Sequence, residues 1–117
     1  MGKRWRLAVH DLHGKRLCTL FDTNIQQYGD AYSIKRTRGI DGWKELSFCL
    51  SRKTTDSKDN YRCEFVKAEN MVYVYEDDEC DVFCIKEPSD LHDNSKMQIT
   101  VNCVHISAEL KTKNLYT

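Results

Sequence analysis

Residues 71–88 read MVYVYEDDECDVFCIKEP. Two runs rich in β-branched and aromatic residues flank the acidic turn EDDECD, which is the pattern of a β-hairpin. The second run stops at Pro88, the only proline in the chain. Proline has no N–H to give to a strand ladder, so it marks an end. This hairpin is the clearest signal in the sequence, and it sets the expectation for what flanks it.

Downstream, residues 97–110 read MQITVNCVHISAEL. Met97, Ile99, Val101 and Cys103 take alternate positions, with His105 closing the series. That is the core face of a strand. Ser107 then fits as the N-cap of a helical turn through Ala108, Glu109 and Leu110. Upstream, RWRLAVHD puts Trp5, Leu7 and Val9 on one face and Arg4, Arg6 and His10 on the other. LHGK follows, with Gly14 at a turn where positive φ is cheap. RLCTLFD completes an N-terminal hairpin. AYSIKRT, with Tyr32 and Ile34 expected on one face, and WKELSFCLS, with Leu46, Phe48 and Leu50 on one face, make a second hairpin around RGIDG. RKTTDSKDN has no apolar residue and reads as a solvated loop. NYRCEFVKAEN fits a short helix capped by Asn60, with Tyr61 and Phe65 one turn apart.

The expected fold class is therefore mainly β: a small antiparallel barrel or strongly curved sheet of about seven strands, with one or two short helices. With 117 residues, 40% apolar and 31% charged, the chain suits one globular domain. The formal net charge is zero and the pI is about 6.9, which argues against obligate nucleic-acid binding. The first residues lack the apolar core of a signal peptide, and no run is long enough to span a membrane. The six cysteines, Cys18, Cys49, Cys63, Cys80, Cys84 and Cys103, form no CxxC and are expected as free thiols.

Candidate chemistry is sparse. Cys103 and His105 share a strand face and offer a thiolate–imidazole pair, the basis of a cysteine-dependent hydrolase reading. No third group to orient the imidazole is evident, and the commoner reading is a core face ended by a histidine. Cys80 and Cys84 also share a face, but about 13 Å of strand separates them, too far for one bond or one metal. His10, Asp11 and His13 surround a turn that could offer metal ligands, yet no second cluster completes a set of four. The expectation there is a solvated turn with two exposed imidazoles, and His92 and Asp93 read the same way. Neither a catalytic site, a metal site nor a cofactor is expected, since no phosphate loop, nucleophile elbow or HExxH occurs.

Charge is unevenly placed. Lys3, Arg4 and Arg6 form one basic cluster, and Lys35, Arg36 and Arg38 form another. Glu76, Asp77, Asp78, Glu79 and Asp81 form an acidic one. Concentrated patches of both signs at zero net charge favour head-to-tail contacts between copies or with a partner ring. The candidate interaction residues are Lys35, Arg36, Arg38, Glu76, Asp77, Asp78, Glu79 and Asp81. Trp5 and Trp43 beside the basic clusters support an alternative reading, a small nucleic-acid-binding β-barrel.

The segments RLAVHDLHGKRLCTLFD, AYSIKRTRGIDGWKELSFCL, YVYEDDECDVFCIKEP and TVNCVHISAELK together resemble the N-terminal domain of phage and prophage minor structural proteins. These are the tail-tip hub, tail-associated lysin or prophage endopeptidase tail proteins. The resemblance runs from about Trp5 to Tyr116. It implies a β-barrel-like structural module of a baseplate hub, working in virion assembly. Three copies would form a ring, a homotrimer that docks on the distal tail protein and contacts the tape-measure protein. It implies residence in the virion tail after synthesis in the bacterial cytoplasm, with no specific nucleic acid bound. It implies no enzyme here, because wall-degrading activity sits in C-terminal portions of such proteins. On that resemblance, and because KTKNLYT closes the chain with Leu115 and Tyr116 apolar, residues 1–117 are expected to be one domain. That domain would be the N-terminal module of a longer tail protein.

Overall fold

Val72 and Val74 point inward from one strand, Phe83 and Ile85 from the next, and all four are buried. The hairpin they build is the middle of the molecule. The computed structural model describes residues 4–25, 30–40, 42–88 and 95–107. Seven strands occur there: β1 (Trp5–His10), β2 (Arg16–Asp22), β3 (Tyr32–Gly39), β4 (Gly42–Ser51), β5 (Met71–Glu76), β6 (Glu79–Lys86) and β7 (Gln98–His105). All pair antiparallel in one sheet of order β2-β1-β5-β6-β7-β4-β3. The sheet curls into a half-barrel, with β2 and β3 as its two edges. Of the two expected forms, the strongly curved sheet is the one adopted.

The period-two pattern fills the concave side. Leu46, Phe48 and Leu50 of β4 face Ile99, Val101 and Cys103 of β7 in register, and every one is buried. Leu7 and Val9 of β1 meet Val74 and Val72 of β5 in the same way. Each such side chain stabilises the fold by roughly 1.5–3 kcal/mol against exposure. Met97 departs from expectation. It lies one residue before β7 and is 73% exposed, because the ladder with β4 starts at Gln98. Tyr32 and Ile34 also part company. Ser33 between them has φ 52°, and the β3–β4 register shifts there. Tyr32 is left at the surface, its hydroxyl donating to Gln98, while Ile34 packs on the core.

β4 and β5 are not neighbours, so residues 52–70 must carry the chain between them. Asn60 secures this crossing: its N–H donates to the Arg52 carbonyl (2.7 Å) and its side-chain amide to the Ser51 carbonyl (2.8 Å). Its side-chain oxygen caps the turn that follows by accepting from Arg62 N–H. The expected helix is only a 3-10 turn, Tyr61–Glu64. A continuing α-helix would give the Phe65 carbonyl to the N–H four residues on. Here the Asn70 side chain donates to that carbonyl at 2.8 Å, and Val66 turns fully into the core. Tyr61 and Phe65 do meet, edge to face at 6.4 Å. The helical turn expected at Ala108, Glu109 and Leu110 lies outside the described residues. Among the described residues, no helix is long and apolar enough to cross a membrane.

Candidate functional site: the charged rim and the outer face

Antiparallel pairing brings the β3–β4 turn, the β5–β6 turn and the start of β1 to the same end of the sheet. The basic and acidic segments therefore share one rim. Arg36 of β3 reaches across it. Its guanidinium lies 4.0 Å from the Trp43 ring centroid and 5.5 Å from that of Trp5, and it pairs with Glu76 of β5 at 2.5 Å. Arg38 covers Trp43 further out, at 5.1 Å. Both tryptophans are thus occupied by guanidinium groups, which removes the stacking platforms that the nucleic-acid reading needs.

The remaining acids of the cluster have separate fates. Asp77 exchanges bonds with the Arg4 backbone: its N–H donates to the Arg4 carbonyl (2.9 Å), and its carboxylate accepts from Arg4 N–H (3.3 Å). Asp77 also takes the turn's left-handed position, φ 53°, which a short acid tolerates. Asp81 accepts from His105 Nε2 at 3.1 Å. Asp78 and Glu79, at the hairpin tip, are exposed, and their carboxylates bond no described residue. Lys35 is exposed on β3, and Lys3 lies outside the described residues.

Cys103 and His105 do not form a nucleophile and base. The β6–β7 register sets Phe83 opposite His105, which brings Asp81 to the imidazole. The orienting carboxylate that the sequence did not reveal is therefore present. However, it holds Nε2, while Nδ1 is met by Ser107 Oγ (2.9 Å) and Ser107 N–H (3.1 Å). Neither nitrogen is left for a thiol. Cys103 is 2% exposed, and burial pushes its pKa up to about 12, the reverse of nucleophile activation. A groove of about 250 Å³ touches Cys103, but its other walls are Lys35, Ser47, Lys86 and Asn102 among others, with no part from His105 or Asp81.

The expected pair of exposed imidazoles at HDLH needs correcting. His13 is exposed, but His10 is 7% exposed. Its Nδ1–H donates to the Gly14 carbonyl (2.9 Å), and its ring stacks on Tyr73 at 3.8 Å. Among the described residues no three His, Cys, Asp or Glu side chains gather to hold a metal. His92 and Asp93 lie outside them. None of the six cysteines is bridged to another in a disulfide, as expected.

Two features escaped sequence reasoning. Arg62 is buried, its Nε–H donating to the Thr19 carbonyl (2.8 Å) and its Nη2 pairing with Asp30 (3.1 Å). Nothing in the spacing of NYRCEFVKAEN marks it for burial. On the outer face, Arg6 covers Tyr75 at 4.6 Å, beside the His10–Tyr73 stack. The alternation of MVYVYE did place Tyr73 and Tyr75 opposite the buried valines, and that was the available signal.

Comparison with known families adds to this picture. The model of the prophage endopeptidase tail N-terminal domain matches residues 9–105, from β1 to the last residue of β7. No match was found among curated proteins or among solved structures.

Proposed function

The chain belongs to the prophage endopeptidase tail N-terminal domain family, and on that premise we propose that it is a structural module of a phage tail tip. It assembles into a ring, as a homotrimer at the baseplate hub, and docks on the distal tail protein and the tape-measure protein. The family match over nearly the whole sheet carries this reading. The charged rim supports it, because mixed-sign hairpin ends suit protein contacts whose register is set by charge. Wall-degrading activity, on this reading, belongs to other portions of such tail proteins. The fixed imidazole of His105 and the high thiol pKa of Cys103 support that assignment. Within the candidate interaction residues, Lys35, Arg38, Asp78 and Glu79 would face partners, whereas Arg36 and Glu76 hold each other.

Gold-labelled antibodies against residues 1–117, applied to particles released on prophage induction, test the proposal by electron microscopy. Label is expected at the tail tip. Label elsewhere on the particle, or only on unassembled protein, would overturn it.

A further inference from the structure

An antiparallel sheet with one buried side normally turns charged and polar residues outward. The half containing β3, β4 and β7 does so, with Lys35, Glu45, Ser47 and Asn102 on its outer face. The half containing β1, β5 and β6 does not. Cross-strand register there aligns Ala8, Tyr73 and Val82 in one row and Arg6, Tyr75 and Cys80 in the next. His10, Tyr73 and Tyr75 pack ring against ring, and Arg6 lies over Tyr75. Arg16 stands across from His10 on the edge strand. Tyrosine beside arginine is the composition that dominates protein-contact energetics.

Among the described residues neither Arg6 nor Arg16 enters an ion pair, and Arg6 Nε is buried without an acceptor. The same chain carries two acids, Asp78 and Glu79, at the tip of the β5–β6 hairpin, whose carboxylates pair with no described residue. Their neighbours Glu76, Asp77 and Asp81 are committed to Arg36, Arg4 and His105. Two exposed carboxylates on a hairpin turn and two guanidinium groups beside half-buried tyrosines are complementary in charge. By strand alternation Glu79 falls in the Trp5–Glu76 row, on the opposite side of the sheet from the adjacent Arg6–Tyr75–Cys80 row.

From this complementarity we infer that the Asp78–Glu79 tip of one copy docks on the Arg6–Arg16–Tyr75 face of a second copy. Such a contact is heterologous, so it repeats into a closed ring or an open filament. It gives the assembly reading above a specific copy-to-copy contact. Its failure would leave docking to other tail proteins standing, since labelled particles test that separately.

Sedimentation velocity on the 117-residue chain in low and high salt tests the inference. The native chain is expected to self-associate, with affinity about tenfold weaker in high salt. The face variant R6A/R16A and the tip variant D78N/E79Q should each be monomeric while melting near the native temperature. Mixed one to one, they should form a dimer and nothing larger, because one intact tip then meets one intact face. The single reversal R16E, at an exposed position, should also abolish association. A native chain monomeric up to about 1 mM, variants that associate like the native chain, or a mixture that stays monomeric would each overturn the inference.

Discussion

Arg36 and Glu76 are forty residues apart in sequence and 2.5 Å apart in the fold, one on an edge strand and the other in the sheet's interior. No strand pairing joins β3 to β5 or β1. The curl is held across its opening by this guanidinium, seated between Trp43 and Trp5.

Replacing Arg36 by alanine removes the ion pair with Glu76 and both cation–π contacts. The expected loss is about 2–4 kcal/mol of folding stability, measured by urea unfolding. Arg36→Lys keeps the charge but loses the flat stack and should fall between. Trp5 and Trp43 are the chain's two tryptophans, so their emission should redden in the alanine variant while the far-ultraviolet dichroism stays native.

Arg62 should matter more than its sequence context suggests. Its side chain is 8% exposed and its partner Asp30 12%. Arg62→Met removes this cation from a buried carboxylate, costing about 3–5 kcal/mol. The paired change Arg62→Met with Asp30→Leu should recover much of that loss. Equal melting of the single and double variants would contradict the assignment.

Burial raises the thiol pKa of Cys18 to about 11 and that of Cys103 to about 12, from an ordinary value of 9.0. Between pH 9 and those values the unfolded chain binds fewer protons than the folded one. Stability must therefore be full below pH 9 and fall as pH rises through that window. The double variant C18A/C103A should show a shallower fall in that window. In the native chain iodoacetamide should modify exposed Cys80 first and reach Cys18 and Cys103 only after denaturant is added.

The Asp81–His105 contact is predicted to be positional. A double-mutant cycle with Asp81→Asn and His105→Gln should give a coupling of about 0.5–1 kcal/mol. Neither change should alter the slow labelling of Cys103. A rise in Cys103 reactivity specific to one of them would revive the thiol–imidazole pairing.

How far the sequence could be read follows from the range of the forces involved. The strands were legible because alternation at Leu46, Phe48 and Leu50, or at Ile99, Val101 and Cys103, is a local consequence of one buried face. Turn chemistry at Gly14, φ 84°, was equally local. Which strand lies beside which was not legible, because β1 pairs with β5 across three intervening strands. Everything that depends on that order was hidden with it. The Arg36–Glu76 bond, the Asp81 carboxylate at His105 and the burial of His10 under Tyr73 are examples. The 3-10 turn was misjudged for a related reason. Asn70 and Val66 end it through tertiary contacts that no propensity of Tyr61–Glu64 reports.

The position of β7 also decides when the molecule can become whole. Four strands lie on one side of it and two on the other. On a ribosome, the β3–β4 hairpin and the β1–β2–β5–β6 group emerge first, and without β7 no strand ladder joins them. Only when residues 98–105 leave the exit tunnel can that strand slot between the two pieces, so closure of the sheet waits for its last strand. A nascent chain arrested before Gln98 should behave as two separately protected fragments under pulse proteolysis.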